Sequence, residues 1–352
     1  MLFTQSGLTL YDRERATQGF TLFSPIQSSI AKIVDMEGQA VHQWELERGG
    51  INLCRLLDNG NLFITELTTE GPKIHAGKGG IMREYDWDGK VVWEHHDSGQ
   101  HHDARRLPNG NTVYLAWERL DDELAKKVKG GKPGTEYAHE DGVIFEDVVR
   151  EIDPDGNVVW EWHTSLLDMD KYPICPLCPR YEWAHANTCA PLANGDIMVS
   201  FRVLNLLIII DRQTGQVKWE HHDLNLGHQH DCHMLESGNV LVFSNGYHGF
   251  DKYYSTIQEF DPETRERVWE YRAQPTLSFF SPHISGVQRL PSGNTLICEG
   301  GKGCIFEVTP EGETVWEYVN DIYSENPVQG SINWVFRATR YVPEDPRLQD
   351  RL

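Results

Sequence analysis

No stretch of this chain stays apolar for long. The longest such run is Leu206–Ile210, far short of the roughly 18 residues that a membrane-spanning helix needs, so no membrane partner is expected. The opening residues, MLFTQSGLTLYDRERA, lack a basic start followed by an apolar core. No signal peptide is therefore expected, and a cytoplasmic location is the expectation. Positive charge is scarce: 32 Lys and Arg stand against 53 Asp and Glu, a net charge of −21. Proteins that grip a nucleic-acid backbone carry a basic face, so nucleic acid is not an expected partner. A small anionic substrate needs only a local cationic pocket. Paired cysteines are lacking too. Seven is an odd count in 352 residues, which fits reduced thiols rather than a disulfide scaffold. What the chain does have is ample core material and an uncommon supply of histidine (16) and tryptophan (11), and their placement carries the signal.

One pattern recurs along the whole chain. An acidic turn, often with Gly, leads into a strand that ends in Trp. It reads DMEGQAVHQW (to Trp44), DWDGKVVW (Trp93), DPDGNVVW (Trp160), DRQTGQVKW (Trp219), DPETRERVW (Trp269) and TPEGETVW (Trp316). A second hairpin follows five of the six tryptophans. Its turns are centred on Gly60, Gly110, Gly195, Gly238 and Gly293, each after Asn or Ser, which suits the positive φ of tight turns. Each unit thus offers four antiparallel strands in a period of about 50 residues, the signature of propeller blades.

The expected fold is all-β: a six-bladed β-propeller forming a single domain over 1–352. The sixth copy is split. NWVFRATRYVP has no return strand after it, and GFTLFSP (Gly19–Pro25) supplies one from the other end of the chain. Pairing of N- and C-terminal strands in one blade would close the ring and hide its free edges. A monomer, or at most a weak dimer, is expected of such a ring. Two insertions, 118–142 and 164–182, exceed a plain blade and are expected as lids at the channel mouth.

In a propeller the first strand of each blade lines the axis. Eight residues before the turn Gly stand Asn52, His102, Asn187, His230 and Ser285, with Arg337 in the same slot of the split blade. Ten before it stand Gly50, Gln100, His185, His228 and His283. Side chains two apart share a strand face, so five histidines and an arginine are aimed at one axis. A lone histidine at a strand end is usually structural, but five at two equivalent positions make a candidate site. His95, His96, His163, His221 and His222 follow the tryptophans and are expected at the rim. Cys54, Cys189 and Cys232 fall at a small apolar position and read as packing. Cys175 and Cys178 form a lone CxxC. A structural zinc needs two more ligands and no second CxxC exists, so zinc is not expected there.

The chain resembles the arylsulfotransferase family, the bacterial arylsulfate sulfotransferases, in a short form without the N-terminal β domain. The residues that carry the likeness are GLTLYDRERATQGFTLFSP, IVDMEGQAVHQWEL, HHDARRLPNGN, EWAHANTCAPLANGDIMVSFR, GHQHDCHMLESGNVLVFSNG and NWVFRATRY. The resemblance implies PAPS-independent transfer of a sulfuryl group from an aryl sulfate to a phenolic acceptor through a sulfated histidine, with no cofactor. By motif position it makes His230 the nucleophile, with His102, His185, Asn187 and Arg202 around the sulfate. Arg337 offers a second cation and His228 a further contact to a small anionic or phenolic substrate.

Two rival readings rest on the residues alone. Imidazoles from separate blades, His102, His185, His230 and His283, suit a transition metal (Fe, Mn, Cu or Zn) serving a lyase, hydrolase or oxygenase reaction. Asp103 and Asp231 would then be outer-shell acceptors or capping residues. A non-catalytic propeller that binds a partner on its face is the third, and it would show mixed polar residues at the axis.

Overall fold

The computed structural model describes residues 5–136, 143–249, 253–326, 328–349 and 351–352, apart from the side chains of 50–52. The side chain of Asn52 and part of the 118–142 insertion therefore lie outside the described residues. Six four-stranded antiparallel blades surround one axis. Blade 1 is built from Val335–Tyr341, Phe20–Pro25, Ser28–Val34 and the first part of Ala40–Leu56. The rest of that long strand begins blade 2, which continues through Leu62–Leu67, Gly80–Tyr85 and Val91–His96. Gln100–Arg106 opens blade 3, Ala186–Pro191 blade 4, His230–Met234 blade 5 and Gly286–Arg289 blade 6.

Ring closure takes the expected form. Phe20 pairs with Tyr341 and Leu22 with Thr339, joining the two ends of the chain in blade 1. A second latch was not foreseen from the repeat. Gly7–Tyr11 adds a fifth strand to the outer edge of blade 6, pairing with Thr314–Val319. Between them these strands cover edges that would otherwise offer unpaired backbone groups.

The repeat has a local cause and an inter-blade cause. In five of the six outer turns the leading Asp caps its own backbone, as where Asp86 Oδ1 accepts from the Lys90 amide at 2.8 Å and Asp153 Oδ1 from Asn157 at 2.8 Å, an Asx arrangement that tightens the turn; in the sixth Thr309 takes that place. The tryptophan then ties each blade to the next. Trp44 Nε1 donates to Asp86 O, Trp93 to Pro154 O, Trp219 to Pro262 O, Trp269 to Pro310 O and Trp316 to Met36 O, at 2.7–3.0 Å. In blade 3 the donor is Trp162, to Gly215 O, not the repeat residue Trp160, which lies against the Arg212 guanidinium instead. The acidic turn and the tryptophan are thus two halves of one contact between neighbouring units.

The insertions pack on each other over blades 3 and 4. A short helix, Asp122–Ala125, is capped by Asp121. Gly130 bridges Ile174, and Glu182–Trp183 pairs with Phe145–Glu146. Val128, Met169, Tyr172, Ile174 and Trp183 share one buried cluster with Phe201 and Leu204 of blade 4.

Candidate active site

The innermost strands depart from regular alternation where the histidines sit. Pairing slips between His101 and Ala104, between Ala186 and Thr188, and between His230 and His233. These are β-bulges, which bend a strand and re-aim its side chains. His102 (φ 51°), His185 (φ 54°), His228 (φ 66°) and Asp231 (φ 51°) adopt left-handed backbone, a conformation that costs about 1–3 kcal/mol per residue and clusters at functional sites. The simple rule that residues two apart share a face fails here, and the five histidines divide into groups.

His102 and His185 meet edge to face with ring centroids 4.7 Å apart. His230 lies across Phe336, whose ring stands 6.2 Å from His102 and 6.3 Å from His230. All three imidazoles are buried. Burial, then neighbouring His185, His101 and His230, drives the His102 pKa well below its ordinary value. Burial and the Arg202 guanidinium do the same to His230. Both rings are therefore neutral at physiological pH. Arg202, half-buried on the turn after the second strand of blade 4, makes no side-chain hydrogen bond or ion pair among the described residues, and it acts on this group through its charge.

Each ring is oriented from behind. His230 Nδ1 is 2.8 Å from Asn245 Oδ1. The assignment of that amide is fixed by its other end, because Asn245 Nδ2 donates to Ser281 O at 2.8 Å and Ile284 O at 3.0 Å. Asn245 Oδ1 can only accept, so His230 carries its proton on Nδ1 and its lone pair on Nε2. His185 Nδ1 faces Glu182 Oε2 at 2.7 Å, and Trp117 Nε1 donates to the other oxygen of Glu182 at 2.7 Å. Burial alone would raise the Glu182 carboxyl, but His185 holds it below its ordinary value. His102 Nδ1 is 2.8 Å from His101 Nδ1. On the far side of His101, Nε2 stands 3.3 Å from Asp147 Oδ1. Burial and the nearby Glu182 push Asp147 well above the carboxylate range, and neither of its oxygens makes a hydrogen bond among the described residues. A single proton lies between the Nδ1 atoms of His101 and His102, so one ring of the pair is the Nδ1–H tautomer and the other the Nε2–H tautomer.

The other expected site residues are placed differently. His228 turns toward Cys178, with Nε2 3.6 Å from its sulfur. His283 packs on Trp334 with centroids 4.5 Å apart, and burial brings its pKa down to about 4. Asn187 donates to Gln229 O at 2.8 Å, tying blade 4 to blade 5. Arg337 is not an available cation. It reaches across the axis to Asp103 (3.4 Å), Asp231 (3.3 Å), Thr188 Oγ1 (2.7 Å) and Asn187 O (2.9 Å). Asp103 also accepts from the Cys189 amide and Asp231 from the Val287 amide. The two aspartates are therefore stitches between blades, and with Arg337 they plug the hub beside the imidazoles.

His102, His185, His230 and His283 do not form a metal-ligand group: among the described residues the group whose ligand atoms lie within 4.8 Å of one another is Cys175, Cys178, His228 and His248. His101, Glu182, Asn245 and Asp147 were not singled out from the sequence. The nearest signal was proximity, since His101 precedes His102 and Glu182 sits three residues before His185. Two clefts, of 970 Å³ beside Tyr271 and Phe279 and of 620 Å³ beside Trp162 and Tyr172, lie between outer strands and contain no histidine.

Comparison with known families settles the lineage. Two family profiles, both described as arylsulfotransferase (ASST), match residues 9–224 and 132–321. The chain belongs to the arylsulfotransferase family. No curated protein matches this arylsulfotransferase family member. Among solved structures it is similar to a protein of unknown function from Bacteroides caccae, at 15% identity and a TM-score of 0.58, covering 92% of this chain and 98% of that one. It is also similar to a virginiamycin B lyase from Staphylococcus aureus, at 11% identity and a TM-score of 0.49, covering 89% and 87%. The likeness to the Bacteroides caccae protein speaks to the fold alone.

Proposed function

We propose that this arylsulfotransferase family member moves a sulfuryl group from an aryl sulfate to a phenolic acceptor, without PAPS, through a sulfated His230. The observation that carries the reading is the Asn245 contact, which leaves a neutral His230 with its lone pair on Nε2. A neutral imidazole is a competent nucleophile, and covalent catalysis divides the transfer into two easier steps.

In the first step His230 Nε2 forms a bond to sulfur as the bond from sulfur to the aryl oxygen breaks. The bonding pair stays on that oxygen, which departs as phenolate beside His102. Positive charge that develops on the His230 ring is met by the Asn245 carbonyl. Arg202 and His185 hold the sulfuryl oxygens, a role suited to fixed donors in a water-poor site. In the second step the acceptor phenol gives its proton to the departed phenolate as its oxygen attacks sulfur, and the breaking S–N bond frees His230. A metal-dependent reaction at the hub draws less support, because its four imidazoles are not gathered as ligands.

The test is turnover of 4-nitrophenyl sulfate with a phenol acceptor, read as nitrophenol release. Wild type should turn over, and His230→Ala should lose about a thousandfold or more. No release with any of several acceptors, or full activity in His230→Ala, would sink the proposal.

A further inference from the structure

Cys175 and Cys178 have no part in that chemistry, yet their surroundings are built. The pair sits in the 164–182 insertion. Its partners come from elsewhere in the chain: His228, just before the first strand of blade 5, and His248, in the loop after that blade's second strand, Val240–Ser244. His248 Nδ1 stands 3.5 Å from Cys175 Sγ and 3.8 Å from Cys178 Sγ, and His228 Nε2 stands 3.6 Å from Cys178 Sγ. Tyr247 stacks on His248 with centroids 4.0 Å apart and fixes the ring's plane.

We propose that Cys175, Cys178, His228 and His248 form a tetrahedral Zn²⁺ site that clasps the 164–182 insertion to blade 5. The geometry argues for a metal. With Zn–S bonds of about 2.3 Å and Zn–N bonds of about 2.0–2.1 Å, a tetrahedron sets sulfur and nitrogen ligands about 3.6 Å apart. The three contacts bracket that edge length, and all four ligand atoms lie within 4.8 Å of one another. Two thiolates and two imidazoles are a donor set that selects zinc. Four protein ligands close the coordination shell, which marks a structural rather than a catalytic site. Charge argues the same way. Two thiolates around Zn²⁺ make a neutral unit, whereas a bare buried thiolate is costly. His228 is fully buried. A long thiol contact at Nε2 is thin compensation for that burial, and a Zn–N bond is ample.

The clasp has a structural consequence. His228 lies two residues before His230, so the metal would pin the start of the strand that presents His230 and hold the insertion against it. The site stands whether or not the sulfuryl-transfer reading does, because its test reads metal and not turnover.

The full chain, expressed without a histidine tag, is analysed for metal by mass spectrometry. About one zinc per chain is expected. Cys178→Ser and His248→Ala should each fall below about a tenth of that, while His102→Ala and His283→Ala keep it. Should the ligand variants fail to fold, wild type stripped with chelator and titrated with Co²⁺ serves instead. It should show the visible bands of tetrahedral cobalt together with thiolate charge transfer. Metal-free protein that takes up neither ion overturns the proposal. So does a Cys175–Cys178 disulfide in freshly purified protein, cobalt bands without thiolate character, or zinc that survives Cys178→Ser or departs with His102→Ala.

Discussion

Asn245 offers the sharpest perturbation of the hub, because it touches no substrate in the scheme yet decides which nitrogen of His230 can attack. In Asn245→Leu, His230 Nδ1 and Ile284 O lose their partner and Ser281 O keeps only a 3.4 Å contact from Ser255 Oγ. At about 1 kcal/mol for each orphaned group, the fold should lose about 2–3 kcal/mol. Catalysis should suffer separately. A hydrogen bond to a charged group is worth about 1.5–3 kcal/mol, and here it serves the imidazolium that forms as His230 attacks. At about 1.4 kcal/mol per decade the turnover number should drop about 10- to 150-fold. Asn245→Asp provides the control. Its carboxylate still accepts from Nδ1 and so preserves the tautomer, but its charge favours protonated His230. An adjacent opposite charge raises such a pKa by about 1–3 units. Attack requires the neutral ring, which in wild type persists to well below the ordinary histidine pKa. The acid limb of kcat/KM should therefore move to higher pH in Asn245→Asp. The assay is nitrophenol release across pH, with thermal melts run alongside to separate folding from rate. If both folded variants stay within about twofold of wild type and the acid limb does not move, Asn245 does not orient the nucleophile.

Three further outcomes follow from the same structure. Arg337→Met leaves Asp231 without its ion-pair partner and Asp103 with Arg105 alone, and should cost about 3–5 kcal/mol in a denaturant melt; a loss below about 1 kcal/mol would show that the plug is not structural. Burial would raise Asp103, but Arg105 and Arg337 hold it well below the ordinary carboxylate value. Its contribution to stability is thus present above about pH 4, the unfolded pKa, and lost progressively as pH falls below that toward the folded one, and melts through the acid range should show that loss reduced in Arg337→Met. Trp316→Phe removes the donor to Met36 O and should cost about 1–2 kcal/mol, visible as a lower Tm, and an unchanged Tm would deny the tryptophan latch its role.

The architecture was legible because its cause is local and repeated. Each acidic turn caps itself, each Asn-Gly or Ser-Gly turn supplies a positive φ, and each tryptophan reaches the neighbouring turn, so the contact between blades is written in every unit. Closure could be read from the unpaired NWVFRATRY strand, whereas the extra Gly7–Tyr11 strand could not, since it belongs to no repeat. The site was legible only by address. Spacing from the turn glycine led to His102, His185 and His230, but bulges at the strand starts break the alternation that was meant to aim them. His228 turns to the thiols for that reason. Arg337 looked like a substrate cation because a sequence does not reveal which carboxylates a long side chain will meet across an axis. The CxxC pair looked incomplete for the same reason, its two histidines lying about 50 and 70 residues downstream in another blade.

The central claim is a covalent one, and it can be weighed directly. The protein is mixed with 4-nitrophenyl sulfate in the absence of any phenol acceptor, quenched at neutral pH or above, digested and examined by mass spectrometry. The account predicts a burst of about one nitrophenol per chain and a single added SO₃ on the peptide containing His230. A sulfuryl group on His102 or His185 instead, or steady turnover with no modified histidine, would contradict it.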